Sequence, residues 1–332
     1  MYHEPLKDMT KKLLYLVLLA CWLPLLTAAQ DDVNFEFSDG INDGALKARM
    51  EGQLSRLLTA INRAESTNSD INYSGIDIDG MASQSIGMLW NNAHFRICDD
   101  DIVEHCLTLR DARGAVCGYK VMNIAVEMKP QNATYTDDLN EEVTIDFNSA
   151  GSIIDFNITI GMQQYMRLMK EGIDLQDEYY REKILKNMED FKSAYNKRDL
   201  NTIDAFFSED ALIITGKVIK RVTTEVGLKP EIVYTPIGKQ KYLEKLKKTF
   251  QANSYLHVDF DDIRIRRHGA KPNYYGVTLK QEWISTNYSD EGILFLVWDF
   301  SDEDAPKIHV RTWQPLETPD DEIFNLQSVK LP

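Results

Sequence analysis

The stretch Ile184–Lys217, ILKNMEDFKSAYNKRDLNTIDAFFSEDALIITGK, decides the fold. Ile184, Leu185, Met188, Phe191 and Tyr195 recur at helical spacing and share one apolar face, while Lys186, Asp190, Lys192 and Lys197 fall on a polar face that is expected to stay in water. This helix should stop near Arg198. Asp199 is placed to cap a short second helix in which Ile203, Phe206 and Phe207 again stand three and four apart, before Ser208-Glu209-Asp210 breaks the pattern. Residues 211–214 then read as a buried strand.

Working outward, the periodicity after this stretch predicts an irregular strand or hairpin over 218–234, a helix over 239–250 and strands over 255–267, 274–285, 293–300 and 308–313. In the first of these strands the apolar positions are Val258 and Phe260, then Ile263 and Ile265. Their parity changes across Asp261-Asp262, which predicts a β-bulge and a sharply curved sheet. Before the deciding stretch, helices are predicted over 45–63 and 81–90, strands over 104–109, 119–128, 143–147 and 153–160, and a linking helix within 161–172. Each half thus runs helices first and antiparallel strands after, an α+β order.

Phe191, Ala194, Tyr195, Asp199, Phe206, Phe207, Asp210 and Ala211, set in a long helix, a short helix ending in aromatics, an acidic turn and an apolar strand, resemble the opening of the nuclear transport factor 2-like superfamily. That superfamily also holds ketosteroid isomerases and polyketide cyclases. The resemblance covers 177–316; over 45–160 a second, divergent copy rests on element order alone. It implies two tandem cone-shaped α+β domains, each with N-terminal helices packed on a curved antiparallel sheet. The expected organisation is a signal peptide at 1–29, a flexible leader at 30–44, domains at 45–160 and 177–316 joined by a linker at 161–176, and an irregular tail at 317–332.

The resemblance also implies an apolar pocket between the concave sheet face and the long helix. On the strand Tyr275, Val277, Leu279, Gln281, Trp283, alternate residues share that face, so Tyr195, Phe206, Tyr275, Val277, Leu279 and Trp283 are the expected ligand pocket. The same residues suit a solid core equally. Enzymes of the superfamily use a pocket carboxylate helped by a Tyr or Asp donor, and Tyr195, Asp210 and Asp299, with His257, Asp259 and Arg311 behind them, are the residues of those types. None forms a specific signature: Asp210 ends the short helix, and His257 and Asp259 face away from Val258 and Phe260. The expected function is non-catalytic binding of a small apolar ligand or an envelope protein. An isomerase- or cyclase-like enzyme and a structural or assembly protein are the alternatives. The strand 293–300 is apolar on both faces, which predicts that the halves pack sheet against sheet as a pseudo-dimer, or that two chains do so, with Trp298 and Trp313 at the contact.

The remaining features bound the setting. Lys7, Lys11 and Lys12 precede the apolar run 13–26 and the small residues Thr27-Ala28-Ala29, a signal-peptide pattern with cleavage between Ala29 and Gln30. Export to the periplasm or envelope of a Gram-negative bacterium follows as the expectation. Lipidation at Cys21 is the lesser reading, because the bulky Leu19 precedes it and the apolar run continues beyond it. A formal charge of −15 argues against a nucleic-acid partner. Cys106 and Cys117 flank a turn-like segment and are the disulfide candidate, the alternative being buried free thiols. No metal-ligand spacing or cofactor motif is present; Asp99-Asp100-Asp101 with Glu104 and His105 reads as a solvated turn.

Overall fold

The computed structural model describes residues 31–111, 113–130, 140–224, 227–286 and 288–331, with the side chains of Leu175 and of residues 221–230 left aside. The signal peptide, its Ala29–Gln30 cleavage site and Cys21 lie outside the described residues. In chain order the first half is β1 (Asn34–Phe37), α1 (Gly44–Thr67), α2 (Gly80–Asn92), β2 (His94–Ile97), β3 (Asp101–Glu104), β4 (Cys106–Arg110), β5 (Val116–Lys129), β6 (Asn140–Asn148) and β7 (Ile153–Ile158). α3 (Met162–Lys170) leads into the second half: α4 (Leu175–Asn196), α5 (Leu200–Phe206), β8 (Phe207–Thr224), β9 (Gly227–Gly238), α6 (Lys239–Ala252), β10 (Leu256–Arg267), β11 (Tyr274–Ser285), β12 (Tyr288–Asp299) and β13 (Lys307–Pro315). The architecture is α+β. Among the described residues no helix is long and apolar enough to cross a membrane.

Asp43, Asp79, Asp174 and Asp199 cap α1, α2, α4 and α5 through their carboxylates, which satisfies backbone donors that a helix start leaves open. In the first half, Leu54, Leu58 and Ile61 of α1 and Ile86 and Leu89 of α2 pack on Val126, Ile145 and Phe156 of the antiparallel sheet β2-β5-β6-β7, with β4 added on β5. The second half has a six-stranded sheet in the order β10-β11-β12-β13-β8-β9, in which only the β13–β8 pair is parallel. The β10–β11 register shifts between Asp261 and Arg264, and Asp262 takes the left-handed conformation with φ 47°, so the bulge lies where the change of parity puts it.

Three expectations are corrected here. Of the expected leader 30–44, the described residues 31–44 are not loose: Val33, Phe35 and Phe37 are buried, and β1 pairs in parallel with β3 while its amides bond Ser55 and Glu51 of α1. The period-two alternation of those three residues is a strand signal that the acidic composition masks. The polar face of α4 is largely covered, with Lys186 and Asp190 left half-buried. Lys186, Glu189, Asp190, Lys192 and Lys197 are covered by a sheet face of the first half bearing Lys120, Asp146, Asn157 and Thr159. α4 therefore lies between two sheets, and the halves meet helix on sheet.

Trp298 is likewise no interface residue. It is fully buried inside the second half against Phe206 and Phe191, with ring centroids 5.5 Å and 6.4 Å away. Trp313, which pairs with Leu294 on the same concave face, is half-buried, and its ring lies so close to Gly292 that a Cβ there would stand 2.6 Å from it. The outer face of β12 and β13, at Phe295, Val297 and Val310, is covered by the chain's own tail through Phe324, Leu326, Val329 and Leu331. That tail, largely irregular with a single 3-10 turn at Asp320–Glu322, spares the outer face from needing a second sheet.

Candidate functional site

β11 runs along the concave face from Tyr275, near the start of α4, to Trp283, near its end; Tyr275 donates to Asp177 at 3.3 Å and Trp283 stands 6.1 Å from the Tyr195 ring. Between them Val277 and Leu279 are fully buried with Phe191, Leu294 and Leu296, and Phe206 packs edge-on against Phe191 and Trp298. This part of the expected pocket is solid core. The far end is different in chemistry.

There Tyr195 of α4 and Tyr242 of α6 share a hydroxyl-to-hydroxyl hydrogen bond of 2.5 Å. Arg311 of β13 lies over the Tyr242 ring at 5.2 Å and donates from Nη2 to Gln281 Oε1 at 3.2 Å. The sheet dictates the meeting: Arg311 pairs with Leu296, and Gln281 with Gly292, so alternation aims both inward beside Trp283 and Trp313. Arg311 is 5% exposed and its Nε has no hydrogen-bond partner. Among the described residues no carboxylate comes within ion-pair distance of it; Asp290, opposite Trp283 at the half-buried rim, acts on it only from further away.

Burial pushes the Tyr195 phenol well above its ordinary value, with the Tyr242 hydroxyl adding to the shift and Arg311 opposing it. The phenol is therefore a donor at any physiological pH. Burial also raises the Asp290 carboxyl, against the Tyr288 hydrogen bond and Arg311. Burial alone would lower the Arg311 guanidinium, but the two phenols and Asp290 more than offset it, so the cation persists. The end of the cone thus holds one fixed positive charge, phenolic donors and two half-buried tryptophans.

The other candidates gather elsewhere. Asp210 and Asp299 flank His309 at 3.6 Å and 3.2 Å on the sheet face turned away from Tyr195. Asp210 is held below the usual carboxylate range chiefly by Ser208, and Asp299 also sits below it, because bonds from Ser301 and Tyr274 outweigh its burial. Neither is a base poised for a reaction in the cone. His257 meets Glu141 of the first half at 3.1 Å, and Asp259 meets Lys192 of α4 at 2.5 Å. The disulfide candidate is also corrected: Cys106 stands opposite Val121, so Cys117 is four positions along the neighbouring strand, about 13 Å away at strand rise, and both thiols are free. Sequence reading missed Tyr242, Gln281 and Asp290. Gln281 does interrupt an otherwise apolar alternation, a visible signal.

No family model matches the chain, and no curated protein matches it. Among solved structures, a Bdellovibrio bacteriovorus protein aligns with 42% of this chain at 16% identity and a TM-score of 0.32, and the match spans only 42% of that protein's length. An NTF2-like protein of Cytophaga hutchinsonii aligns over 97% of its own length with 41% of this chain, at 15% identity and a TM-score of 0.31. An NTF2-like protein of Rhodospirillum rubrum gives 97% and 40%, at 14% identity and a TM-score of 0.30. Over about two fifths of its length the chain is similar in fold to nuclear transport factor 2-like proteins.

Proposed function

We propose that the protein is an exported, non-catalytic binding protein of the cell envelope, and that its ligand is a small molecule with an apolar body and a carboxylate or comparable anion. The anion pairs with Arg311 at the wide end of the second half's cone, and the apolar body lies between Trp283 and Trp313. A single observation carries this reading: a buried guanidinium with an unpartnered Nε and no acid at ion-pair distance among the described residues. A buried charge costs several kcal/mol unless it is paired. An anionic ligand supplies the partner, and the Tyr195 phenol adds a neutral donor beside it. Export rests on the lysines and apolar run of residues 1–29.

Native mass spectrometry of residues 30–332 from an exporting host, followed by tryptophan-fluorescence titration with aromatic carboxylates and their uncharged amides, tests the reading. A co-purified acidic small molecule, or carboxylate binding lost in Arg311→Met and absent for the amides, supports it. Equal response to acid and amide, or binding indifferent to Arg311→Met, refutes it. Turnover of a bound molecule would favour the enzyme alternative.

A further inference from the structure

A cavity lies away from the cone, where the halves meet. Its volume is about 330 Å³, and Tyr165, Tyr179, Glu182, Leu109, Cys117 and Lys120 are among its walls. α4 presents Tyr179, Glu182, Lys183 and Lys186 to it at spacings of three and four, so one stripe of the helix forms the wall. α3 supplies Tyr165, and the β4–β5 pair of the first half closes the opposite side. The space is large enough for a small organic molecule, and it exists only because the two halves are docked.

The three lysines around this cavity have carboxylate partners, whereas Arg110 donates to the Gly114 carbonyl at 2.8 Å and Asp304 is exposed. Lys120 is held by Glu189 at 2.6 Å and Asp146 at 3.4 Å. Lys183 is held by Glu303 at 3.2 Å, and Lys186 by Asp155 at 3.1 Å and Asp146 at 3.2 Å. Asp111 accepts the backbone amides of Arg113 and Ala115. Glu182, half-buried on the wall, has neither a hydrogen bond nor an ion pair among the described residues. A partly desolvated carboxylate facing an apolar space is left wanting a cation.

We infer that this cavity is a second ligand site, taking a small apolar molecule with one ammonium group that pairs with Glu182 while its hydrocarbon body lies against Leu109, Tyr165 and Tyr179. Occupancy would bridge the halves, since Glu182 belongs to one and Leu109 to the other. The neighbouring lysines do not forbid the cation, because each already has a carboxylate partner behind the wall.

Cys117 lines the cavity and Cys98 lies at the far end of β5 against Ala125; both are exposed, so the two thiols serve as reporter and control. Iodoacetamide labelling of residues 30–332 is followed at both thiols with n-octylamine, octan-1-ol or octanoate present. The expected result is at least tenfold slower labelling of Cys117 with n-octylamine, an unchanged Cys98, little effect of octanoate, and loss of protection in both Glu182→Gln and Leu109→Trp. Leu109→Trp fills the space without touching the carboxylate, so its effect separates occupancy from charge. Unchanged Cys117 labelling with the amine, equal protection by octanoate, or protection that survives Glu182→Gln overturns the inference.

Discussion

The Lys120 ammonium, on the first half's sheet, meets the Glu189 carboxylate, on the second half's long helix, at 2.6 Å with both side chains almost wholly buried. Asp146 stands 3.4 Å from the same ammonium, and Thr159 donates to the other oxygen of Glu189 at 3.3 Å. Burial alone would lower the Lys120 value, but the two carboxylates more than offset it, so the charge persists. A polar seam thus joins the halves, beside apolar contacts such as Met122 with the second half's core and Ile284 with the first half's.

Removing one partner leaves the other charge stranded. Lys120→Met should therefore destabilise the protein by about 3–5 kcal/mol in urea unfolding, and Glu189→Gln should cost less because Thr159 and Lys120 keep a polar partner. The double change Lys120→Met with Glu189→Leu should recover much of the loss, since apolar replacements of both members of a buried pair are often neutral. A loss in the double variant equal to the sum of the Lys120→Met and Glu189→Leu losses would show that the pair does not couple the halves.

Asp190 lies in the same seam, accepting from Asn157 at 2.7 Å with Lys186 at 3.6 Å. Burial, helped by the Asp155 and Asp146 charges and opposed by Lys186, raises its carboxyl from 3.8 to about 6. The folded state then binds a proton that the unfolded chain releases, so between pH 4 and 6 this group favours folding on acidification and its contribution fades as pH rises through about 6. Asp190→Asn keeps the acceptor for Asn157 and removes the titration. It should stabilise the protein by roughly 1–2 kcal/mol at pH 7, after discounting for partial exposure, and flatten the unfolding free energy between pH 4 and 6. An unchanged pH profile would contradict the assignment.

How much of this was legible in the sequence differs by level. Helical and period-two spacing located the deciding helix, the strands 274–285 and 143–147 and the bulge at Asp261-Asp262, because burial of one face enforces those periods locally. The seam was illegible for the same reason. Thr144 and Asp146 alternate with Val143 and Ile145 as a water-facing row would, and Lys186 and Asp190 sit where a wet helix face belongs; only tertiary pairing of one polar face with another buries the first two and partly covers the others. Arg311 was visible as a residue type. Its lack of an acid is a statement about neighbours drawn from four separate elements.

The tail prediction follows from Gly276. A Cβ there would meet the Leu326 side chain at 2.8 Å and the Phe295 ring at 3.0 Å, so the tail is seated on a glycine. Gly276→Val should lift 317–331 off the outer sheet face, and limited proteolysis should then cleave the tail many times faster than in the unaltered protein. Phe295, Val297 and Val310 would be uncovered, so sedimentation should show concentration-dependent self-association, as it should for Leu326→Asp. A monomeric, protease-resistant Gly276→Val variant would mean that the tail does not shield this face.

Arg311 separates a structural from a binding role through stability alone. A guanidinium that holds the core together costs stability when removed, whereas one kept for an absent anion is a liability in the unliganded protein. Arg311→Met keeps an apolar stem of similar length and abolishes an incompletely paired buried charge. The loss of its stacking on Tyr242 takes back about 0.5–1 kcal/mol, and the Gln281 bond is neutral enough to be replaced by solvent-free packing at modest cost. The ligand-free variant should therefore be as stable as the unaltered protein or more so by about 1 kcal/mol, while its affinity for an aromatic carboxylate falls at least tenfold. Thermal unfolding with and without the carboxylate reads both quantities in one experiment. A ligand-free loss of several degrees with no change in the carboxylate-induced shift would place Arg311 in the core and take it out of the binding site.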